Sequence, residues 1–150
     1  MATTATERRR PPSPFSSKRE MRRVLDDVLQ AIDEDDRSGP LLRATGIRER
    51  LEVTDLGLVL NVAASDDPGH HLRWRFSDRV DWEPKLRLAM SSEVANRYLQ
   101  GRENVAIGIA RGRIRASGDS RAALVYLPVA ALIVDRYRSV VRDSYPHLKV

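Results

Sequence analysis

The chain has 150 residues, 41% of them hydrophobic and 31% charged, a balance that suits one globular domain with a real core. No apolar run reaches the roughly 18–20 residues of a membrane span, and the N-terminus lacks the apolar stretch of a secretory signal. There is no cysteine, which excludes disulfides and thiolate metal sites.

The net charge of +5 invites a nucleic-acid reading, but its distribution argues against one. Residues 1–23 carry seven basic side chains against Glu7 and Glu20, which accounts for the whole excess. The rest of the chain holds as many acids as bases, so nucleic acid is not an expected partner of the folded part. Residues 1–17, MATTATERRRPPSPFSS, contain three prolines and no aliphatic periodicity. They read as a disordered, basic, Pro/Arg-rich leader. Its Arg8 to Arg10 offer transient contact with a membrane; the plainer reading is a solubilising tail. Residues 18–150 are then a single domain.

Ser17 and Glu20 form a capping-box pattern. Met21, Val24, Leu25, Val28, Leu29 and Ile32 follow at helical spacing and predict an amphipathic helix over 18–34. The acidic DEDDRSGP that ends it opposes the helix dipole, so that end is expected to fray. Beyond Gly39-Pro40 the period becomes two. Leu51 and Val53 alternate with polar neighbours, as do Leu58, Leu60 and Val62. Asp55-Leu56-Gly57 between them reads as a three-residue hairpin loop with Gly57 left-handed. Leu72, Trp74 and Phe76 share one face of the next strand, opposite Arg73 and Arg75. Leu86, Leu88 and Met90 share one face of a fourth, opposite Arg87.

Ser91 is placed to cap a helix whose inner face is Val94, Ala95, Tyr98 and Leu99, stopped by Gly101. A short apolar segment, 104–110, precedes the break at Arg111-Gly112. A fifth strand follows, with Ile114 and Ala116 inward and Arg113 and Arg115 on the solvent face. A positive stripe across that outer face is the sharper reading of the arginines, and ordinary solvated charge the plainer one. Asp119 caps a helix from Ser120, which Pro128 should break or kink. A last helical stripe runs through Val129, Leu132, Ile133, Tyr137, Val140 and Val141. Together these predict an α+β fold: a five-stranded, largely antiparallel sheet with helices covering one face.

Catalytic and metal signatures are missing. His70 and His71 follow a Pro-Gly turn and read as loop residues. No phosphate-binding glycine loop, nucleophile elbow or His-Glu-x-x-His run occurs. No carboxylate stands out as sitting on an apolar face, where burial would raise its pKa. No catalytic residue, metal ligand or cofactor is therefore expected.

The stretch LRLAMSSEVANRYLQGRENVAIGIARGRIRASGD resembles the sterol carrier protein type-2 family. The shared pattern is a strand ending in a small hydroxyl residue, a short helix ending in Gly, an apolar segment, and a Gly-basic-hydrophobic-basic strand closing on Ser-Gly-Asp. The later L-x-x-L-P and the terminal YPHL are similar to bacterial members. The resemblance covers 85–148 well and 41–84 less closely. It implies an apolar tunnel or groove between sheet and helices and brings no catalytic residues. The terminal His147-Leu148-Lys149-Val150 is not the peroxisomal address of some members, and a cytoplasmic location is expected. The inward side chains assigned to such a tunnel are Leu58, Leu60, Val62, Trp74, Phe76, Leu88, Met90, Val94, Tyr98, Ile107, Ile114, Leu124 and Leu127. The same residue types would also make a dry core. Three functions stay open. The first is non-catalytic carrying of a lipid, fatty acyl, sterol-like or isoprenoid ligand. The second is a module docking on a partner enzyme. The third is a small pocket enzyme.

Overall fold

The computed structural model describes residues 12–150, apart from the side chain of Leu127. Two helices open it: α1, Lys18–Glu34, and α2, Ser38–Ala44. Four strands follow: β1, Arg48–Val53; β2, Leu58–Ala64; β3, Leu72–Arg75; and β4, Leu86–Met90. Next come α3, Ser92–Leu99, α4, Val105–Ala110, and β5, Ile114–Gly118. The chain closes with α5, Ser120–Ser144, and a 3-10 turn at Pro146–Leu148. Among the described residues, no helix is long and apolar enough to cross a membrane.

The strands form one sheet in the order β3-β2-β1-β4-β5. Three neighbouring pairs are antiparallel, and β1 with β4 is parallel, so the sheet is mixed. The β1–β2 connection is tight, with Val53 facing Leu58 and Gly57 at φ 60° in the left-handed region. Its turn spans Thr54 to Gly57, one residue longer than expected.

Reaching β4 from β3 requires the chain to pass β2 and β1. Residues 76–85 do so across the outer face. The Asn61 amide donates to the Ser77 carbonyl at 2.7 Å, and Arg50 donates to the Asp78 carbonyl at 2.9 Å. The Arg73 guanidinium lies 4.5 Å from the Trp82 ring centroid, and Trp82 is buried. This part of the outer face is therefore covered, and Arg73 is half-buried beneath Trp82 rather than on a solvated surface. Arg113 and Arg115 are exposed opposite the buried Ile114, as the alternation required.

The helices cover the inner face. α1 buries Met21, Val24, Leu25, Val28, Leu29 and Ile32, the stripe its periodicity marks. Its acidic end does not fray, because its carboxylates are engaged with the rest of the fold. Asp33 accepts hydrogen bonds from the His71 and Leu72 amides at 2.6 and 2.9 Å and pins the start of β3. Asp35 accepts from the Ser38 amide and hydroxyl and starts α2. Neither α2 nor α4 was expected as a helix; both are about two turns or less.

α5 lies against α1 and is one continuous helix with Pro128 inside it. It is joined to α3 by a buried polar cluster. The Tyr137 hydroxyl donates to Asn96 Oδ1 at 2.7 Å, while the Asn96 and Gln100 amides both donate to the Leu148 carbonyl. With every partner supplied from within the cluster, burial of these polar groups carries little penalty.

The folded body begins before α1. Phe15 is buried in the core, and the Ser13 hydroxyl lies 2.7 Å from that of Ser92. Residues 1–11 of the expected leader lie outside the described residues, but Ser13 to Phe15 are packed. Sequence periodicity could not reveal Phe15, because one isolated aromatic has no period. Phe15→Ala is expected to destabilise the protein by roughly 3 kcal/mol in urea unfolding. No change in midpoint would mean that Phe15 is not a core residue.

Candidate functional site

Inside the layer between helices and sheet lies an apolar chamber of about 60 Å³. Leu25, Val28 and Leu29 of α1 form its roof, and Leu51, Leu60, Val62 and Leu72 of β1–β3 its floor. Tyr98, Tyr126, Ile133 and Tyr137 close it from α3 and α5. A second, open cavity of about 220 Å³ lies beside it at the start of β1, β4 and α5. The two share Ile47, Glu49 and Tyr126, so the second is the mouth of the first.

The mouth is shaped by one close backbone approach. Gly118 ends β5 at φ 119°, and a Cβ there would collide with the Lys85 carbonyl. The Asp119 amide then donates to that same carbonyl at 2.7 Å. Asp119 also caps α5 through the Arg121 amide at 2.9 Å, which fixes where α5 leaves the sheet. Arg48, Lys85 and Arg121 surround this opening.

Glu49 stands in the throat. It is paired in register with Val62 on one side and Leu86 on the other, so strand alternation turns it to the same face as Leu51 and Val53. Burial pushes its carboxyl up to about 7, only partly offset by hydrogen bonding from the Tyr126 hydroxyl. Burial also drives the Tyr126 hydroxyl well above its ordinary range, and the neighbouring Glu49 and Tyr98 add to the effect. Tyr98 is raised in the same way by burial and by Glu49. The throat is thus a carboxyl and two phenols, all favoured in their uncharged forms, at the edge of an apolar space. The expectation that no carboxylate sits on an apolar face is corrected here. The signal was present in RERLEV, where Glu49, Leu51 and Val53 alternate on one side.

Of the residues assigned to a tunnel, Leu60, Val62 and Tyr98 line the chamber. Leu58, Leu88, Met90, Val94 and Ile114 are buried in the surrounding core. Trp74 and Phe76 are half-buried; Trp74 donates to Asp26 at 2.8 Å, and Arg22 sits 5.0 Å from the Phe76 ring centroid. Ile107 and Leu124 are 48% and 68% exposed and do not line the chamber. In α4 the buried position is Gly108, which meets Ile114 and leaves Ile107 facing out. In α5, Leu124 lies about 200° around the helix from Tyr126, the residue that faces the throat. Ala116 is also exposed, because neither helix covers the middle of β5. The Leu127 side chain lies outside the described residues. His70 pairs with Asp33 at 2.7 Å, and no metal-binding cluster occurs among the described residues.

No protein-family model matches the sequence, and no curated protein matches it. Solved structures do match. A UbiJ-SCP2 ubiquinone synthesis protein superposes with a TM-score of 0.56 at 15% identity, covering 79% of this chain and 95% of its own. Sterol carrier protein domain 2 of Helicoverpa armigera gives 0.55 at 12% identity, covering 75% and 87%. The chain has a sterol-carrier-protein-2-like fold. A conserved hypothetical protein of Thermus thermophilus, described as possibly sterol carrier protein, gives 0.53 at 15% identity, covering 86% and 95%.

The raised pKa of Glu49 carries a sign. The native carboxyl holds its proton more tightly than the unfolded chain, whose value is 4.5 against about 7. Its contribution is fully present below the unfolded value and is lost as pH rises through about 7. Glu49→Gln removes the cost of ionising that group. Its stability relative to the parent should therefore grow by roughly 1–3 kcal/mol between about pH 5 and pH 8.5. A difference that stays flat across that window would return Glu49 to an ordinary carboxylate.

Proposed function

We propose that the protein binds and carries an apolar molecule bearing an uncharged oxygen group. The supporting observation is the throat: Glu49, Tyr126 and Tyr98 stand where an apolar chamber meets an open mouth. A neutral carboxyl and two phenols are hydrogen-bond donors at the end of a greasy space. A sterol-like alcohol, an isoprenoid phenol or quinone, or a protonated fatty acid has the matching shape: an apolar body and one oxygen end. The names of the structural neighbours, sterol carriers and a ubiquinone synthesis protein, concern molecules of this kind.

The chamber must widen to hold such a ligand, since sites for drug-sized ligands run to roughly 300–1,000 Å³. α5 offers the means. Pro128 has no N–H, so the Leu124 carbonyl lacks its helical partner. The turns before Pro128 carry Tyr126, the side chain that separates chamber from mouth. Bending there would open the throat without disturbing Tyr137 and its buried partners.

A pocket carboxyl titrating near neutrality also suits general acid–base chemistry, which keeps a small enzyme as the second reading. Within the chamber it lacks a partner: Glu49 is the only carboxyl or basic side chain lining it among the described residues, and burial holds the three tyrosines there, Tyr98, Tyr126 and Tyr137, neutral. Carrying needs no such partner.

Delipidated protein should take up a fluorescent fatty acid or sterol analogue. Ile133→Trp, which fills the chamber from α5, should lower uptake at least tenfold while the circular dichroism spectrum is kept. Affinity should fall as pH rises through about 7, because an ionised Glu49 draws water into the throat. Glu49→Gln should flatten that dependence. Wild-type protein that takes up no apolar probe would remove the carrier reading.

A further inference from the structure

Away from the chamber, the outer side of the sheet carries an open concavity of about 670 Å³. Arg73 and Arg75, two residues apart on β3, line it together with Arg79, Val80, Asp81 and Trp82 of the segment that returns from β3 to β4. Ser77 fixes the bend of that segment. Its carbonyl accepts from the Asn61 side-chain amide at 2.7 Å, and its hydroxyl accepts from the Arg79 backbone amide at 3.1 Å.

Two buried N–H donors meet at this place, and neither has an acceptor among the described residues. Trp82 is only 6% exposed, and its Nε1 makes no hydrogen bond. The Arg73 guanidinium, stacked 4.5 Å from the Trp82 ring centroid, likewise leaves its Nε unpaired. A buried donor without an acceptor is costly, and an acceptor delivered by a ligand removes that cost. The one acid lining the concavity is a poor substitute. Asp81 Oδ1 lies 3.9 Å from Arg73 Nη1, beyond hydrogen-bond length, and its side chain is 83% exposed. Arg75 and Arg79 are exposed, and neither makes an ion pair among the described residues.

Charge decides which acceptor fits. Three arginines and one carboxylate line the concavity, a surplus of two positive charges. A carboxylate ligand would balance half of it. A phosphate monoester carries about −1.5 to −2 at neutral pH and offers three strong acceptor oxygens. Guanidinium forks match such oxygens in pairs. We infer that this concavity binds the phosphate of a small phosphate monoester. Arg75 and Arg79 take its oxygens from the open side, and the Arg73–Trp82 stack forms the base. The residues on either side of Trp82 are exposed, so a small shift of the indole turns the two unpaired donors to the phosphate. The volume leaves room for the ester body, since sites for small molecules run to roughly 300–1,000 Å³. This site and the carrier reading are independent, and either can fail alone.

Titration calorimetry on the full chain at fixed ionic strength tests it, with tryptophan fluorescence followed alongside. Inorganic phosphate and glycerol 3-phosphate should bind and change the emission, and acetate should bind at least tenfold more weakly. Arg75→Gln combined with Arg79→Gln alters only exposed side chains, so the urea midpoint should hold while phosphate binding falls tenfold or more. Trp82→Phe keeps the stack, removes one N–H donor, and should weaken binding severalfold. Asp81→Asn removes the competing negative charge and should tighten binding threefold or more, a gain that a merely structural role for these residues would not produce. Vesicles of equal parts phosphatidylcholine and phosphatidic acid present the same group on a lipid. The inference is overturned if neither soluble phosphate binds, if acetate binds as well, or if the double arginine variant binds like the parent. It is equally overturned if Asp81→Asn brings no gain, or if only the vesicles are bound, since a bilayer rather than the concavity would then be recognised.

Discussion

β1 and β4 run side by side in the same direction, and a parallel neighbour cannot be reached by a tight turn. Most of the architecture follows from that pairing. After β1, β2 and β3 have folded back on one another, the chain must return past two strands to reach the free edge of β1. Residues 76–85 make the passage on the outer face, where Asn61, Arg50 and Arg73 hold them. That leaves the inner face to the helices, and it brings Glu49 level with Leu86 at the end of the sheet where α5 departs.

Glu49 is the feature whose cost the fold must offset. A carboxyl among apolar side chains is disfavoured when ionised, and removing it would make the strand simpler and more stable at neutral pH. Its neighbours do not neutralise it. Arg48, Lys85 and Arg121 border the mouth, but none forms an ion pair with it. Its hydrogen-bonding neighbour is instead the Tyr126 hydroxyl, which offsets the effect of burial only in part. On the proposed carrier function, such an arrangement would hold an oxygen atom of a guest at the border of an apolar space. It makes little sense for stability alone.

Periodicity carried the reading of the sequence where it repeated. The helix over 18–34 shows a six-residue apolar stripe, and the strands at 51–53, 58–62, 72–76 and 86–90 each alternate, so both were legible. The direction of β4 was not. Antiparallel and parallel strands share the same alternation, and only the length and placement of residues 76–85 distinguish them. α2 and α4 have too few turns to display a period. The candidate site was half legible. Leu60, Val62 and Tyr98 are ordinary inward residues, found by counting. Ile107 and Leu124 were misplaced because an apolar residue in an apolar run gives no indication of which way a short or proline-interrupted helix is turned. Glu49 was overlooked for the opposite reason. Acidic residues are expected outside, so its place in the alternation with Leu51 and Val53 carried less weight than its charge.

Pro128 joins these threads. Beyond it, α5 is anchored by Tyr137 on Asn96 and by Tyr145, whose hydroxyl donates to Asp27 at 2.7 Å. Ahead of it, the helix shows Leu124 and Val125 to solvent and turns only Tyr126 toward the throat. The two halves thus differ in how firmly they are held, and the boundary falls where one helical hydrogen bond is already absent. A chamber of only about 60 Å³ keeps its apolar walls close to one another. A permanently open one would expose those walls to water at roughly 25 cal/mol per Å². On the proposed carrier function, bending at Pro128 would confine the opening to a few residues and leave the sheet, α1 and the C-terminal half of α5 in place.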